Sequence, residues 1–468
     1  MKPVLWTLTA AVCFAQRFEP VIPKVWDEAA LRSMELPLAT PSASPVHISA
    51  ERYYAIPPLT IYKNYPFQVP GKTQEEYFAW LREQEPEIIR FDTSVLRSKE
   101  DWIRAGKYAF ETALQSRTEP IPSFPAQRIV IREKGKLEFV DPGCAGCHER
   151  HLSDGTVIRG AQENRQWFWN RRSGPVAPEI LARVRQLVFP EFATPWLKPD
   201  PNLLSEDVSD ETLQRLLLRS PAPGPRFGSS LFAPVVMPDL IGVKDRKYLD
   251  RTGLVQQSDI GDFMRYAAIN LGTGTVGNMS SYGGFVPHDN FKTARSPARY
   301  SDEQLYALAL YVYSLEPPKN PNPRDATALR GEAIFKRVGC GGCHPAPLYS
   351  NNKLTPAIGF QVPKEHLKKY DVMPVNVGTD PWLTMKTRRG TGYYKVPSLK
   401  GVWYRGPFEH SGSVLTLEDW FDAARLRDDY VPTGWLGPNK TRAVRGHEFG
   451  LALKPEEKAA LIAFLKTL

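Results

Sequence analysis

Two stretches share one pattern, Cys144-Ala145-Gly146-Cys147-His148 and Cys340-Gly341-Gly342-Cys343-His344, and together they hold four of the five cysteines in the chain. Four cysteines in two i, i+3 pairs could form two disulfides or a zinc site. Neither needs a histidine directly after the second cysteine of each pair, and the ligand pairs of a structural zinc site seldom lie so far apart in sequence. Covalent haem attachment needs this arrangement. Two thiols at i and i+3 reach the two vinyl groups of one porphyrin, and the next residue brings an imidazole beneath the iron. The pattern predicts two c-type haems, held by Cys144 and Cys147 and by Cys340 and Cys343, with His148 and His344 as proximal ligands.

The fifth cysteine, Cys13, lies in MKPVLWTLTAAVCFAQ, where Lys2, an apolar stretch from Val4 and the small Ala15 read as a secretory signal over residues 1–15. Its removal would leave every mature cysteine in a haem motif. The apolar stretch is short for a membrane span, and no later run reaches the roughly 20 apolar residues that spanning needs. A periplasmic or secreted protein is expected, with lipid anchoring through Cys13 as the lesser alternative, because Val12 before it is not small.

A porphyrin attached in this way needs helices to frame it. DATALRGEAIFKRV leads into Cys340 as a short amphipathic helix, with Ala333, Phe335 and Val338 on the inner face. The chain closes with LALKPEEKAALIAFLKTL, in which Pro455 opens a helix, Glu456 and Glu457 fill its first turn, and Leu461, Phe464, Leu465 and Leu468 form the apolar stripe. Helix, motif, loops and closing helix make the plan of cytochrome c. The first half repeats it: RAGKYAFETAL (104–114) echoes RGEAIF (330–335), and SDEQLYALALYVYSLEPP (301–318) echoes the closing helix. Alternation around Lys134-Gly135 predicts an inserted β-hairpin before the first motif.

At 468 residues the chain exceeds one core, and EPPKNPNPRD (316–325) is the clearest joint. The predicted organisation is mainly α: a signal at 1–15, an extended N-terminal arm at 16–95, and cytochrome c-like haem domains at 96–320 and 321–468. The 43 prolines predict long irregular loops between the helices. Net charge is +9, but basic residues such as Arg171, Arg172, Arg388 and Arg389 are dispersed, and haem propionates offset part of the excess. Nucleic-acid binding is not expected.

An iron closed on both faces carries electrons, whereas one open face can bind peroxide or oxygen. The histidines outside the motifs are His47, His151, His288, His366, His410 and His447. His151 follows His148 too closely to reach the far face of the first haem.

YKVPSLKGVWYRGPFEHSGSVLTLEDWF (394–421) resembles the signature segment of bacterial di-haem cytochrome c peroxidases. With both motifs, the resemblance covers about residues 100–468. It extends to relatives that oxidise a methylamine dehydrogenase precursor and to the di-haem rubber oxygenases. The wide motif spacing, LRDDYVPTGW (426–435) and RGHEFGLAL (445–453) are closest to the longer rubber-oxygenase branch. The resemblance implies an exported di-haem oxidoreductase. Peroxide or dioxygen would be activated at the N-terminal haem, the C-terminal haem would transfer electrons, and the partner would be a small redox protein or an organic or polymeric substrate.

Two departures shape the site. A methionine ligand expected 14 residues beyond His410 is Ala424 here, and His447 matches the position of a distal histidine in the longer branch, so the second haem is assigned His344 and His447. His410 then takes a supporting or inter-haem role. The distal histidine of the short peroxidases falls on Asn164, leaving the first haem open or filled by Met279 or His288. The resemblance nominates Tyr248 and Phe263 as walls of its reactive pocket, and the positions of Trp167 and Trp169 soon after the first motif and of Trp403 by the signature segment make them candidates for an electron relay between the haems. Arg405 replaces an expected threonine, which puts the family's inter-haem calcium in question. The alternative to an enzyme is a di-haem electron carrier with both irons six-coordinate.

Overall fold

Gly106 and Gly331 set the architecture. In this computed structural model, which describes residues 17–29, 49–112, 116–121, 126–164, 176–188, 208–217, 223–224, 231–270, 298–387 and 390–468, each lies at the crossing point of a helix pair. Helix α2 (Lys99–Glu111) packs on α4 (Asp302–Tyr313), and α5 (Ala326–Arg337) packs on α6 (Pro455–Lys466). A methyl group on Gly106 would overlap the Ala307 carbonyl and press on Tyr311 Cβ; one on Gly331 would overlap the Ala460 carbonyl and press on Phe464 Cβ. Four residues beyond each glycine an aromatic ring meets the same partner. Phe110 and Tyr311 have centroids 5.3 Å apart, and so have Phe335 and Phe464. The absent side chain lets the backbones approach, and the ring pair then fills the crossing. The duplication read from RAGKYAF and RGEAIF is thus a repeated packing unit.

Sequence explains where these helices begin. Ser98 and Asp101 form a capping box for α2, and Ser301 and Gln304 form one for α4. Asp325 caps α5, and Pro455 occupies the first turn of α6. Leu461, Phe464 and Leu465 are buried as expected. On α5 the inner face differs from the expected one: Ala333 is exposed, and Ala328, Gly331, Ile334 and Phe335 face α6. The close crossing at Gly331 fixes the helix rotation. Helix α3 (Ile260–Asn270) adds a third layer against α4.

The hairpin forms β3 (Arg128–Glu133) and β4 (Lys136–Val140), paired antiparallel, with Gly135 at φ +85° in the turn. It belongs to a four-stranded sheet that also takes in β1 (Asn64–Pro66) and β2 (Ser116–Arg117), in the order β1-β3-β4-β2. The segment expected as an extended arm therefore contributes a strand, and also helix α1 (Gln74–Arg82), capped by Thr73 and Glu76. Phe67, Tyr77 and Leu81 pack with Ile129, Ile131 and Phe139 in a core of their own. Besides covering this apolar sheet face, the same segment packs Val25, Trp26, Tyr53, Ile56 and Ile61 into the core around α2 and α4. Four two-stranded sheets also occur among the described residues. The expected mainly-α class is corrected accordingly: helices frame the motifs, and short strands organise the proline- and glycine-rich loops between them.

No helix among the described residues is long and apolar enough to cross a membrane.

Candidate haem sites

Both motifs follow the same local course. Cys144–Gly146 and Cys340–Gly342 each make a single 3₁₀ turn, closed by Cys147 N to Cys144 O at 3.1 Å and by Cys343 N to Cys340 O at 3.3 Å. The next amide also bonds back, His148 N to Cys144 O and His344 N to Cys340 O, both at 2.9 Å. This tight turn puts two thiols and an imidazole on one local frame. None of the four cysteines is in a disulfide. Among the described residues no group of three or more His, Cys, Asp or Glu side chains converges on a common point, so the two pairs do not build one zinc site.

Each motif histidine is oriented through Nδ1. His148 Nδ1 lies 2.9 Å from the Pro238 carbonyl, and His344 Nδ1 lies 3.0 Å from the Tyr349 carbonyl. A ring nitrogen held by a carbonyl fixes the tautomer and leaves Nε2 to bind a metal. Burial lowers the His344 pKa, favouring the neutral imidazole that ligates.

The second motif has a facing partner. The His344 and His447 ring centroids are 6.4 Å apart, with planes inclined by 56°. Two imidazoles bound to one metal at about 2 Å each have centroids about 6 Å apart, so the spacing fits an iron between them. His447 is half-buried, its Nδ1 atom is shielded from solvent without a hydrogen-bond partner, and desolvation followed by the nearness of His344 lowers its pKa to about 4. It sits at φ +49°, a left-handed conformation unusual for a side chain with a Cβ. Its loop is pinned accordingly. His447 N donates to Val377 O at 2.6 Å, and the fully buried Arg425 donates to Trp420 O (2.9 Å), Val444 O (2.5 Å) and His447 O (3.0 Å). Trp420 and Phe449 pack against the His447 ring at 5.4 and 5.3 Å. These residues fit a six-coordinate haem.

The first motif is built differently. Arg128 pairs with Glu111 (3.3 Å) and Glu149 (3.2 Å), tying the strand after His148 to α2 and β3. Asn164, at the slot of the short peroxidases' distal histidine, accepts from His151 N (3.0 Å) and donates to His151 O (2.7 Å), so its side chain serves the backbone on the motif's own side. Tyr248 and Phe263 lie in separate clusters. Tyr248 donates to Asp371 Oδ2 (3.0 Å) and packs with Leu354, Tyr370 and Tyr393; Phe263 packs on Tyr313 at 5.4 Å. His366 bonds to Tyr393 OH at 3.0 Å. His410 forms an ion pair with Glu409 and stacks on Tyr394 at 5.0 Å. Trp403 packs against Tyr404 at 5.0 Å, beside Ile158, Ala161 and Ile241 of the first half. Cys13, His47, Trp167, Trp169, Arg171, Arg172, Met279, His288, Arg388 and Arg389 lie outside the described residues.

Sequence reasoning missed Arg425, Pro238 and Asp239. A carbonyl acceptor such as Pro238 leaves no side-chain signature. Arg425 was in reach, because it directly follows Ala424 in the slot that lacks the family methionine.

A cleft between the halves is lined by Arg246, Arg251, Lys395, Lys400 and Arg405, against Asp239 and Asp245. This cationic excess suits carboxylates such as haem propionates.

Part of the chain is similar to proteins named as cytochrome-c peroxidases. The cytochrome-c peroxidase IdrP1 of Pseudomonas sp. (strain SCT) is 29% identical over 165 residues, covering 31% of this chain and 41% of that protein, and its namesake from Denitromonas iodatirespirans is 25% identical over 161 residues. The uncharacterized protein y4iJ of Sinorhizobium fredii is 33% identical over 150 residues, 24% of this chain and 25% of that protein. The match thus spans a quarter to two fifths of these relatives. No protein-family model matches the chain. Among solved structures, Kuenenia stuttgartiensis hydrazine synthase overlays 67% of this chain and 99% of its own at 19% identity and a TM-score of 0.31. A MauG-like protein associated with microbial copper homeostasis overlays 39% of this chain and 59% of its own at 18% identity and a TM-score of 0.23.

Proposed function

We propose that the chain is an exported di-haem c-type cytochrome that reduces peroxide or activates dioxygen at the haem of Cys144, Cys147 and His148. The haem of Cys340, Cys343, His344 and His447 exchanges electrons with a small redox protein. The iron supplies the redox chemistry when bound. The protein's residues hold one imidazole tautomer at each motif and exclude water around His447.

The observation that carries this reading is the asymmetry between the motifs. His344 faces His447 at 6.4 Å. The other described histidines outside the motifs are engaged elsewhere: His151 lies beside its own motif, His366 bonds to Tyr393, and His410 pairs with Glu409. Nothing in this set supplies a second strong-field ligand for the His148 iron. Its remaining candidates are Met279 and His288, and Tyr248 and Phe263, though in separate clusters, are each proposed as residues bordering its reactive pocket. The peroxide assignment follows the IdrP1 likeness, and the rubber-oxygenase-like branch supplies the oxygenase alternative. His410, within the signature segment, is proposed as an inter-haem residue.

The test is exposure of the reduced holoprotein to carbon monoxide and of the oxidised protein to peroxide and cyanide. One haem should respond and the other should not. A protein that binds no external ligand in either oxidation state is an electron carrier.

A further inference from the structure

The two motif histidines are oriented by carbonyls of different origin. His344 uses Tyr349, five residues along its own loop, with the Pro397 backbone as a second contact, whereas the contact of His148 Nδ1 is with Pro238, ninety residues away. A local carbonyl moves with its motif. A remote one is only as fixed as whatever holds it, so the surroundings of Pro238 decide how rigidly His148 is aimed.

Those surroundings come from both halves. Asp239, adjacent to Pro238 and buried, accepts from Ile241 N at 2.9 Å and from Tyr404 OH at 3.1 Å, and it forms an ion pair with Arg405 Nε at 2.9 Å. Arg246 donates to the Asp239 carbonyl and, at 2.8 Å, to Ile241 O. Arg405 continues away from Asp239: Nη1 donates to Ser398 O at 2.9 Å, and Nη2 donates to Lys400 O. Ser398 Oγ in turn donates to Leu348 O at 2.6 Å. Leu348 precedes Tyr349, the residue that orients His344.

We propose that Arg405 is a positioning residue that joins the orientation of the two haem-ligating imidazoles through the path His148, Pro238-Asp239, Arg405, Ser398, Leu348-Tyr349, His344. This inference rests on the haem reading above. The path holds one buried ion pair and four hydrogen bonds besides, each from a side chain, and two of its links are neighbours in the chain. A guanidinium suits the junction because its planar fork engages a carboxylate and two carbonyls at once, which an ammonium cannot reproduce. Movement at either loop is transmitted because both ends terminate on the carbonyl that sets the ring's tautomer and tilt. The chemical consequence is that a change of oxidation or ligation state at one iron shifts the donor strength of the histidine on the other.

The test uses the full-length holoprotein, with haem content, the midpoint potential of each haem, and the iron–histidine stretching band of the His148 haem as readouts. Arg405→Met should retain two haems, move that band, and change the oxidation equilibrium of the His148 haem about tenfold, or about 59 mV for one electron. In the wild type the spectrum of the His148 haem should change when the other haem is reduced, and Arg405→Met should abolish that response. Ser398→Ala removes a single hydroxyl from the same path, and it should weaken the response even if Arg405→Met fails to fold. Two haems with unchanged potentials, an unmoved band and an intact response in both variants would overturn the inference. A wild-type protein without haem would overturn the functional reading beneath it, and the two failures are distinct.

Discussion

His344 and His447 face each other with ring centroids 6.4 Å apart, although one ends a haem motif and the other lies in a distant loop beside the last helix. The spacing matches two imidazoles on one metal, and no other motif histidine has a histidine so placed among the described residues. What holds His447 there is mostly Arg425.

Arg425 is fully buried and serves three carbonyls. Arg425→Met keeps much of the volume and orphans all three acceptors. With about 1.5–3 kcal/mol for a hydrogen bond to a charged group, the unfolding free energy should fall by about 3 kcal/mol or more in denaturant titration. The loop would lose its tether, so the fraction of low-spin haem should fall as well. Unchanged stability and spin state would show that His447 is held by its own backbone.

The helix crossings make a second prediction. Gly106→Ala and Gly331→Ala would each add a methyl that overlaps a carbonyl oxygen across the interface. Overpacking of this kind costs about 1–3 kcal/mol, which exceeds the gain of about 1 kcal/mol from replacing glycine in a helix. Both variants should therefore be less stable in chemical denaturation. A stabilised variant would mean that the helices can separate without loss.

Much of this frame was legible in the sequence, for identifiable reasons. Pro455, the Lys134-Gly135 turn and the repeated glycine-aromatic spacing at Gly106 and Gly331 are local signals with local consequences. Thr73 and Glu76 are the same kind of local signal for α1, but the surrounding prolines favour an extended arm when the sequence is taken alone. The rotation of α5, with Ile334 inside and Ala333 outside, depends on the partner helix, which a single-helix pattern does not contain. The carbonyl of Pro238 is the extreme case. Its role is set by a fold contact with His148 across ninety residues, and every residue type carries the same group.

Glu409 gives a pH prediction. Burial pushes its carboxyl up, but the charge of His410 and hydrogen bonds from His410 and Ser411 outweigh burial and hold it at about 2, below the usual 4.5. A carboxyl depressed in the folded state adds stability that is present above pH 4.5 and is lost as pH falls toward 2. His410→Leu removes the cation and its hydrogen bond. Stability measured between pH 4.5 and 2 should then depend less on pH, and it should start from a lower value at neutral pH because a buried carboxylate has lost its partner. An unaltered acid limb would place the stabilisation of Glu409 elsewhere.

The most direct test of the division of labour is electron paramagnetic resonance of the oxidised holoprotein, wild type and His447→Ala side by side. The wild type should give one low-spin and one high-spin haem, because under the proposed ligation the His344 iron would have two strong-field imidazoles and the His148 iron one. In His447→Ala the low-spin signal should become high-spin while the His148 haem still binds cyanide. Two low-spin haems in the wild type, or a low-spin signal that survives the loss of His447, would contradict the account.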